Sequence, residues 1–201
     1  MKALLLLSGG FDSPVAGYLM KEQGIDISAV HFSSQPLTDD SAEEKSRLLA
    51  KMIGAEKFLI VPFGHHLGTI AKNCLHRYYY ILIRRLMWRV AEKIAKKEGC
   101  TYLITGENLG QVGSQTVENM FLTDKAVTLP ILRPVLSYDK QEIINLAKKI
   151  GTHDASLGPE LCCLLGPKNP ATKGRIKIVN EEEKKLDILG IVKKAVEETH
   201  M

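Results

Sequence analysis

The sequence has no apolar run long enough to cross a membrane. The longest near its start, Ala3-Leu4-Leu5-Leu6-Leu7, has five residues, against about 20 for a spanning helix and at least ~7 for the core of a signal peptide. That run reads as a buried strand, and the chain is expected in the cytoplasm with no membrane partner. Cysteine is scarce: Cys74, Cys100, Cys162 and Cys163 are the four in 201 residues. They form no secreted disulfide framework, and no spacing suits a tetrahedral zinc site, least of all the adjacent pair. No metal is therefore expected on direct Cys or His ligation. Neither charge sign dominates, with 27 basic and 23 acidic residues and a formal net charge of +4. That mild excess permits nucleic-acid binding without demanding it. Internal repeats and low-complexity tracts are absent as well, and apolar residues make up 45%, an ordinary globular share. A length of 201 residues suits one domain with a sizeable core, expected over 1–201.

What is present is an alternation. Short β-rich apolar runs at 2–7, 27–32, 57–62, 102–105 and 127–132 are separated by helical patterns at 13–23, 39–53, 65–97, 111–123 and 139–150, with a C-terminal helix at 181–198. The 65–97 region is too long for one uninterrupted helix. The pattern predicts an α/β fold, a Rossmann-like doubly wound parallel sheet covered on both faces. Such sheets bind ligands beyond the carboxyl ends of their strands, so the loops after residues 7, 32, 105 and 132 are the informative ones. The stretch 157–178 breaks the alternation. It holds Pro159, Pro167 and Pro170, the Cys162-Cys163 pair and the basic residues Lys168, Lys173, Arg175 and Lys177, and reads as a long loop or lid.

The string Ser8-Gly9-Gly10-Phe11-Asp12-Ser13 follows the first strand and opens a helix. Gly9 and Gly10 let the backbone adopt positive φ and approach an anion closely. Free amides at the helix start then face that anion, and Ser8 and Ser13 add hydroxyl donors. No lysine follows the glycines, which excludes the phosphate loop of kinase-like NTPases, and the spacing is not that of a dinucleotide fingerprint. A Gly-Gly turn alone would favour a strand-to-helix turn with Asp12 or Ser13 as N-cap, and the full string after a four-leucine strand favours the phosphate reading.

Further along, His31 and Phe32 end the second strand, where a backbone reads a base and an aromatic packs on it, or where both simply finish a buried strand. Apolar residues at 83, 86, 87, 90, 91, 94 and 95 form a clean helical stripe. Arg85 and Arg89 point away from the stripe and are expected in solvent. Arg84 lies at its edge, able to reach a ligand or cap another element. In Thr105-Gly106-Glu107-Asn108-Leu109-Gly110, Gly106 allows close approach to a nucleotide. Gln111 and Gln115, one helical turn apart, share a face. Asp139-Lys140-Gln141-Glu142 has the form of a capping box, an alternative to a catalytic role for Asp139.

Taken in order, these segments resemble the PP-loop ATP pyrophosphatases (adenine nucleotide alpha hydrolase-like), and within them the catalytic domain of the tRNA 4-thiouridine synthase family. The resemblance rests on S-G-G-F-D-S at 8–13, H-F-S-S-Q-P at 31–36, R-R-L-M-W-R-V-A-E at 84–92, T-G-E-N-L-G-Q-V-G-S-Q-T at 105–116 and P-I-L-R-P-V-L-S-Y-D-K-Q-E-I at 130–143. It covers roughly residues 1–175. It implies that Ser8, Gly9, Gly10 and Ser13 hold the pyrophosphate of ATP, with Asp12 near the Mg²⁺ that neutralises it. It implies ATP contacts at Leu6, Leu7, His31, Phe32, Arg84, Gly106 and Gln115. It matches Cys163 to the sulfur-handling cysteine; Cys162 is a partner or merely buried, and Cys74 and Cys100 read as core residues.

The implied activity is ATP-dependent adenylation of a uridine carbonyl, forming pyrophosphate, followed by replacement of AMP with sulfur from a persulfide donor. Lys168, Lys173 and Arg175 would activate the thiol and meet RNA phosphate. The family usually carries an N-terminal THUMP-type RNA-binding module and in some members a rhodanese domain, whereas this chain opens on the first strand, so a separate RNA-binding protein or domain is the expected partner beside tRNA. Two rivals stay open: the same chemistry on a sulfur carrier or thiamine-pathway acceptor, and a nucleotide-binding regulator. The oligomeric state stays open too.

Overall fold

The computed structural model describes residues 1–110, 114–158 and 165–201. Its frame is one five-stranded, all-parallel sheet in the order β3-β2-β1-β4-β5. The strands are β1 (Lys2–Leu6), β2 (Asp26–Ser33), β3 (Phe58–Pro62), β4 (Tyr102–Ile104) and β5 (Ile131–Leu132). The doubly wound parallel sheet expected from the alternation is what forms.

The strand residues decide the layering, because successive side chains on a strand point to opposite faces. Leu4 and Leu6 of β1 join Val30, Leu59, Val61 and Leu103 on one face. Against them lie helices α3 (Gly64–Asn73), α4 (Tyr79–Lys97), α8 (Ile176–Glu183) and α9 (Ile188–Glu197). Ala3, Leu5 and Leu7 turn to the other face with Ile27, Ala29 and Ile104. That face is covered by α1 (Asp12–Glu22), α2 (Ser41–Met52) and α6 (Lys140–Lys149). An apolar set on both faces of every central strand is why β1 reads as an unbroken leucine run rather than an alternating one.

Several sequence expectations shift at their boundaries. The long 65–97 region does break, at a 3-10 turn spanning His76–Tyr78 between α3 and α4. The 127–132 strand shrinks to Ile131–Leu132. Within 111–123, residues 111–113 lie outside the described set, and the helix α5 (Val117–Asp124) starts only at Val117. Thr116, in an extended conformation, caps it by accepting a hydrogen bond from Asn119 N at 3.2 Å. Where one helix was expected at 181–198 there are two, α8 and α9. The second is restarted by Asp187, whose carboxylate accepts from Gly190 N at 3.0 Å. The 157–178 loop ends earlier than expected, because α8 begins at Ile176. The capping box at Asp139 and Glu142 forms in full. Among the described residues no helix is long and apolar enough to cross a membrane.

The largest correction concerns Arg85 and Arg89. Both were expected in solvent, yet α8 lies across that face of α4 and puts Glu183 between them. Arg85 is 4% exposed and donates to Glu183 from Nε at 2.8 Å and Nη2 at 3.0 Å. Arg89 donates to the same carboxylate at 2.6 and 2.9 Å. Burial pushes the Glu183 carboxyl up, but the two guanidiniums outweigh it and hold the group below its ordinary value. Breaking a buried pair from one side leaves an uncompensated charge. Glu183→Ala is expected to cost about 3–5 kcal/mol of stability, read as a lowered urea-unfolding midpoint with an unchanged slope.

Glu92, also on α4, fastens the segment leading into β5. Its carboxylate accepts from Thr128 N at 2.7 Å, Thr128 Oγ1 at 2.6 Å and Leu129 N at 2.9 Å. Partial burial pushes its carboxyl up, but these donors and Lys96 draw it down to about 2 from 4.5. A carboxyl depressed in the folded state binds protons less readily there than in the unfolded chain. Its stabilisation is therefore complete above pH 4.5 and lost as pH falls toward about 2. Unfolding free energies measured across that window should fall less steeply for Glu92→Gln than for the unaltered chain.

Candidate functional site

The strand order reverses between β1 and β4: the chain winds outward to β3 on one side, then returns to add β4 and β5 on the other. A crevice opens beyond the carboxyl ends at such a reversal. Two loops meet there. The first runs from Leu7 to Phe11 and delivers α1. Gly9 has φ +83°, a left-handed conformation that glycine adopts without steric cost. Phe11 precedes α1 in a helical conformation and supplies no side-chain cap, so the first-turn amides are not sealed by the Asp12 or Ser13 cap that the string alone allowed. Instead Ser13 Oγ accepts from Ser8 N at 3.1 Å and lies 3.2 Å from Ser8 Oγ, while Gly10 N reaches Ser8 Oγ at 3.4 Å. The serines thus tie the loop into a closed turn at the start of α1, where a helix N-terminus favours an anion.

The second loop follows β4. A Cβ added at Gly106 would fall 2.5 Å from Ser13 N and 2.8 Å from Ser13 Cα. The close approach expected of Gly106 is therefore made, within the protein, to the first turn of α1. The adjacent Glu107 is 3% exposed and sits between two guanidiniums. Arg84, from α4, donates to its Oε1, and Arg133, just after β5, donates to its Oε2 at 2.8 Å. Arg133 also grips Asp124 at the end of α5, at 3.0 and 2.5 Å. Burial pushes the Glu107 carboxyl up, but Arg84 and then Arg133 overcome it and keep it ionised below its ordinary range. Glu107, Arg133 and Asp124 were not singled out in the sequence, although Glu107 and Arg133 stand inside the T-G-E and L-R-P strings. Arg84, Glu107, Tyr80, Ser114 and Asn119 line a recess beside the crevice.

Asn108 ties this loop down further. Its Nδ2 donates to Val135 O at 2.8 Å and Tyr138 O at 2.5 Å, and its backbone N donates to Gln115 Oε1 at 2.8 Å. Gln115 lies ahead of the helix cap, so the shared helical face expected for Gln111 and Gln115 does not arise at Gln115, and Gln111 lies outside the described residues. On the β2 side, His31 is 5% exposed. Its Nδ1 is 2.9 Å from Leu7 O and 3.0 Å from Ser46 Oγ of α2. A carbonyl only accepts, so Nδ1 carries the proton and Nε2 is an acceptor in the neutral ring. Burial lowers the imidazole pKa against the opposing pull of Leu7 and Glu43, favouring that neutral form. Phe32 packs edge-on to Phe63, with ring centroids 5.0 Å apart. Leu6, Leu7, His31, Phe32, Arg84, Gly106 and Gln115 thus all fall along the carboxyl edge of the sheet.

Cys162 and Cys163 lie outside the described residues. Described residues on either side of them meet α2 and the 3-10 turn before α4. Leu157 O accepts from Lys45 Nζ at 3.4 Å, and Leu165 O is 2.8 Å from His76 Nε2. A Cβ at Gly166 would fall on the Tyr80 hydroxyl. Beyond them, Lys168, Lys173 and Arg175 are exposed, and their segment is stapled to α5 by Asn119 Nδ2 to Ala171 O (2.7 Å) and Thr116 Oγ1 to Thr172 O (2.7 Å). Cys74, half-buried, and Cys100, buried, are free thiols whose pKa values burial pushes up, away from the thiolate form. Among the described residues no cluster of three or more His, Cys, Asp or Glu side chains is arranged for a metal ion.

Comparison with known proteins agrees with this geometry. Residues 1–188 match the family model of the thiamine biosynthesis protein (ThiI). The chain is 42% identical to a probable tRNA sulfurtransferase of Moorella thermoacetica, over 98% of this chain and 52% of that protein. It is 44% identical to one of Caldanaerobacter subterraneus subsp. tengcongensis, over 92% and 50% respectively. A crystal structure of a 4-thiouridine synthetase–RNA complex with bound ATP superposes with a TM-score of 0.93 at 38% identity, covering 99% of this chain and 54% of that one. An NMN synthetase from Francisella tularensis shares the fold at a TM-score of 0.60 and 15% identity, over 98% of this chain and 83% of that one. The chain spans about half the length of the curated relatives it matches. With the closed turn, the crevice and these matches together, the chain belongs to the thiamine biosynthesis protein (ThiI) family.

Proposed function

We propose that this chain is the ATP-using half of a cytoplasmic tRNA sulfurtransferase. The observation that carries the reading is the cradle of residues 8–13, pressed against Gly106 at the reversal of the sheet, in a chain 38% identical to an ATP-bound 4-thiouridine synthetase. ATP is the first substrate. Its β and γ phosphates lie against the amides and hydroxyls of Ser8, Gly9, Gly10 and Ser13, its α phosphate faces the crevice, and its base lies toward His31 and Phe32. Leu6, Leu7, Arg84, Gly106 and Gln115 complete the contacts. Asp12, in the first turn of α1, is the carboxylate suited to Mg²⁺, which would neutralise phosphate charge there.

The uridine carbonyl oxygen attacks the α phosphorus and the bond to the β phosphate breaks, releasing pyrophosphate. A sulfur nucleophile then attacks the activated ring carbon, and AMP leaves with the oxygen. Most of the acceleration comes from positioning and preorganised donors. Cys163 handles the sulfur: the donor persulfide attacks through its outer sulfur, the Cys163 thiolate then attacks the donor's inner sulfur so that the S–S bond breaks and leaves sulfur on the ring, and an external thiol reductant opens the Cys163–donor disulfide that forms. Support comes from the resemblance of the Cys163 segment to the one bearing the family's sulfur-handling cysteine. Lys168, Lys173 and Arg175 meet RNA phosphate, and a separate THUMP-type protein or domain supplies the remaining tRNA affinity.

Pyrophosphate release that depends on unmodified tRNA is the primary test, and release driven equally by a sulfur carrier protein without tRNA would move the acceptor to that class. Asp12→Ala should lower this turnover by about 10²-fold or more, and unchanged turnover in a folded variant would remove Asp12 from the site. Cys163→Ser should abolish thiolation while sparing ATP binding. Full thiolation by Cys163→Ser with both free sulfide and a persulfide donor would instead assign the sulfur attack to the donor itself.

A further inference from the structure

The phosphate cradle has an electrostatic gap. Its own residues, 8–13, contain one acidic side chain and no basic one. The guanidiniums nearest the crevice, Arg84 and Arg133, are already shared with Glu107 and Asp124. A triphosphate and a departing pyrophosphate carry several negative charges; a bound Mg²⁺ would offset part of them, and backbone amides offer only partial positive charge. Kinase-like phosphate loops meet this need with a lysine inside the loop; this loop has none.

A lysine on α2 lies beside the cradle. Gly9, at the bend of the cradle, has the first turns of α2 packed against it. A Cβ there would lie 3.2 Å from Ser46 Oγ, 3.3 Å from Lys45 Cε and 3.5 Å from Ala42 O. The helix is held in that place. Ser46 is fully buried and pairs with His31 Nδ1 at 3.0 Å, and the same nitrogen is bonded to Leu7 O, the last carbonyl before the loop, at 2.9 Å. This chain of bonds fixes the distance between α2 and the cradle, and so fixes where the Lys45 stem begins. Among the described residues, Lys45 has no carboxylate within ion-pair distance. Its ammonium donates to Leu157 O at 3.4 Å, beyond the usual 2.7–3.2 Å range of such bonds, and it has three N–H groups to give.

We infer that Lys45 is the phosphate-charge-binding residue of this site, holding the β and γ phosphates of ATP and the pyrophosphate that leaves. This rests on the proposed ATP chemistry and adds to it a residue outside the loop motif, on the next helix in the chain. Lys45 acts as a point charge at the rim of the cradle, and its partners are the phosphates that AMP lacks. That difference separates a charge role from a packing role.

The experiment is calorimetric titration of the chain with ATP, AMP and inorganic pyrophosphate, each with Mg²⁺, for the unaltered protein and for Lys45→Met, Lys45→Gln and Lys45→Arg. Lys45→Met and Lys45→Gln should weaken ATP and pyrophosphate by about tenfold or more and leave AMP within about twofold. Lys45→Arg, which keeps the charge, should recover most of the loss. Two neutral variants guard against one failing to fold. Pyrophosphate binding unchanged in a folded neutral variant overturns the assignment, and so does an equal loss of AMP and ATP, which would mark Lys45 as a packing residue. An unaltered chain that binds neither ATP nor pyrophosphate overturns the proposed function and this inference with it.

Discussion

The site depends on a contact in which a side chain is forbidden. Where the sheet reverses, the loop after β4 must pass so close to the start of α1 that a Cβ at Gly106 would sit 2.5 Å from the Ser13 amide nitrogen. Parallel strands at a reversal diverge above the sheet, and the crevice between them is normally a gap. Here the two loops touch, with Gly106 against the first turn of α1 and the Arg84–Glu107 pair on the residue that follows. The cradle, the ion network and the recess share this contact. A change that lifts the β4 loop from α1 would alter all three at once.

Glu107 fits this arrangement as a connector rather than as a base. A carboxylate that is 3% exposed is costly to ionise unless charge surrounds it. Arg84 and Arg133 supply that charge, and Asp124 balances the second of them. Two guanidiniums and two carboxylates sum to a neutral network. The network joins α4, the β4 loop, the end of α5 and the residue after β5. It fixes the Arg84 guanidinium while spending only part of its five N–H donors on Glu107, so the group is oriented and still able to donate. Kept ionised by its neighbours, Glu107 has little tendency to accept a proton near neutral pH, which sets it apart from an acid–base catalyst.

How much of this was legible in the sequence follows the range of the interactions involved. The strands and the glycine turn before α1 were readable because their signals are local: a leucine run buried on both faces, and a glycine pair between a strand and a helix. The capping box at Asp139 was readable for the same reason. The failures are non-local. Arg85 and Arg89 look solvated on a helical wheel, and only the return of Glu183, 98 and 94 residues later, buries them. The start of α5 was misplaced because Gln115, a good helix former, is drawn to the backbone of Asn108 seven residues earlier, and the helix waits for the Thr116 cap. Lys45 gave no signal at all, since its only distinction is the distance from its stem to Gly9.

The same reasoning explains why the loop has no lysine of its own. In this cradle the residues after the glycines are Phe11, Asp12 and Ser13, and each position is committed. Phe11 lies at the threshold of α1, partly buried against the core on that side. Ser13 is buried and bonds back to Ser8 N. Asp12 takes the first turn of the helix, where a negative side chain meets the positive end of the dipole. A lysine at any of these three places would lose a packing contact, a loop-closing hydrogen bond or a favourable helix-end charge. Gly9 and Gly10 are themselves buried, and a side chain at Gly9 would meet α2. A basic side chain beside this turn must therefore come from outside the loop. The helix packed against Gly9 brings the stem of Lys45 beside the loop without disturbing the turn, and the Ser46–His31 bond holds the helix there.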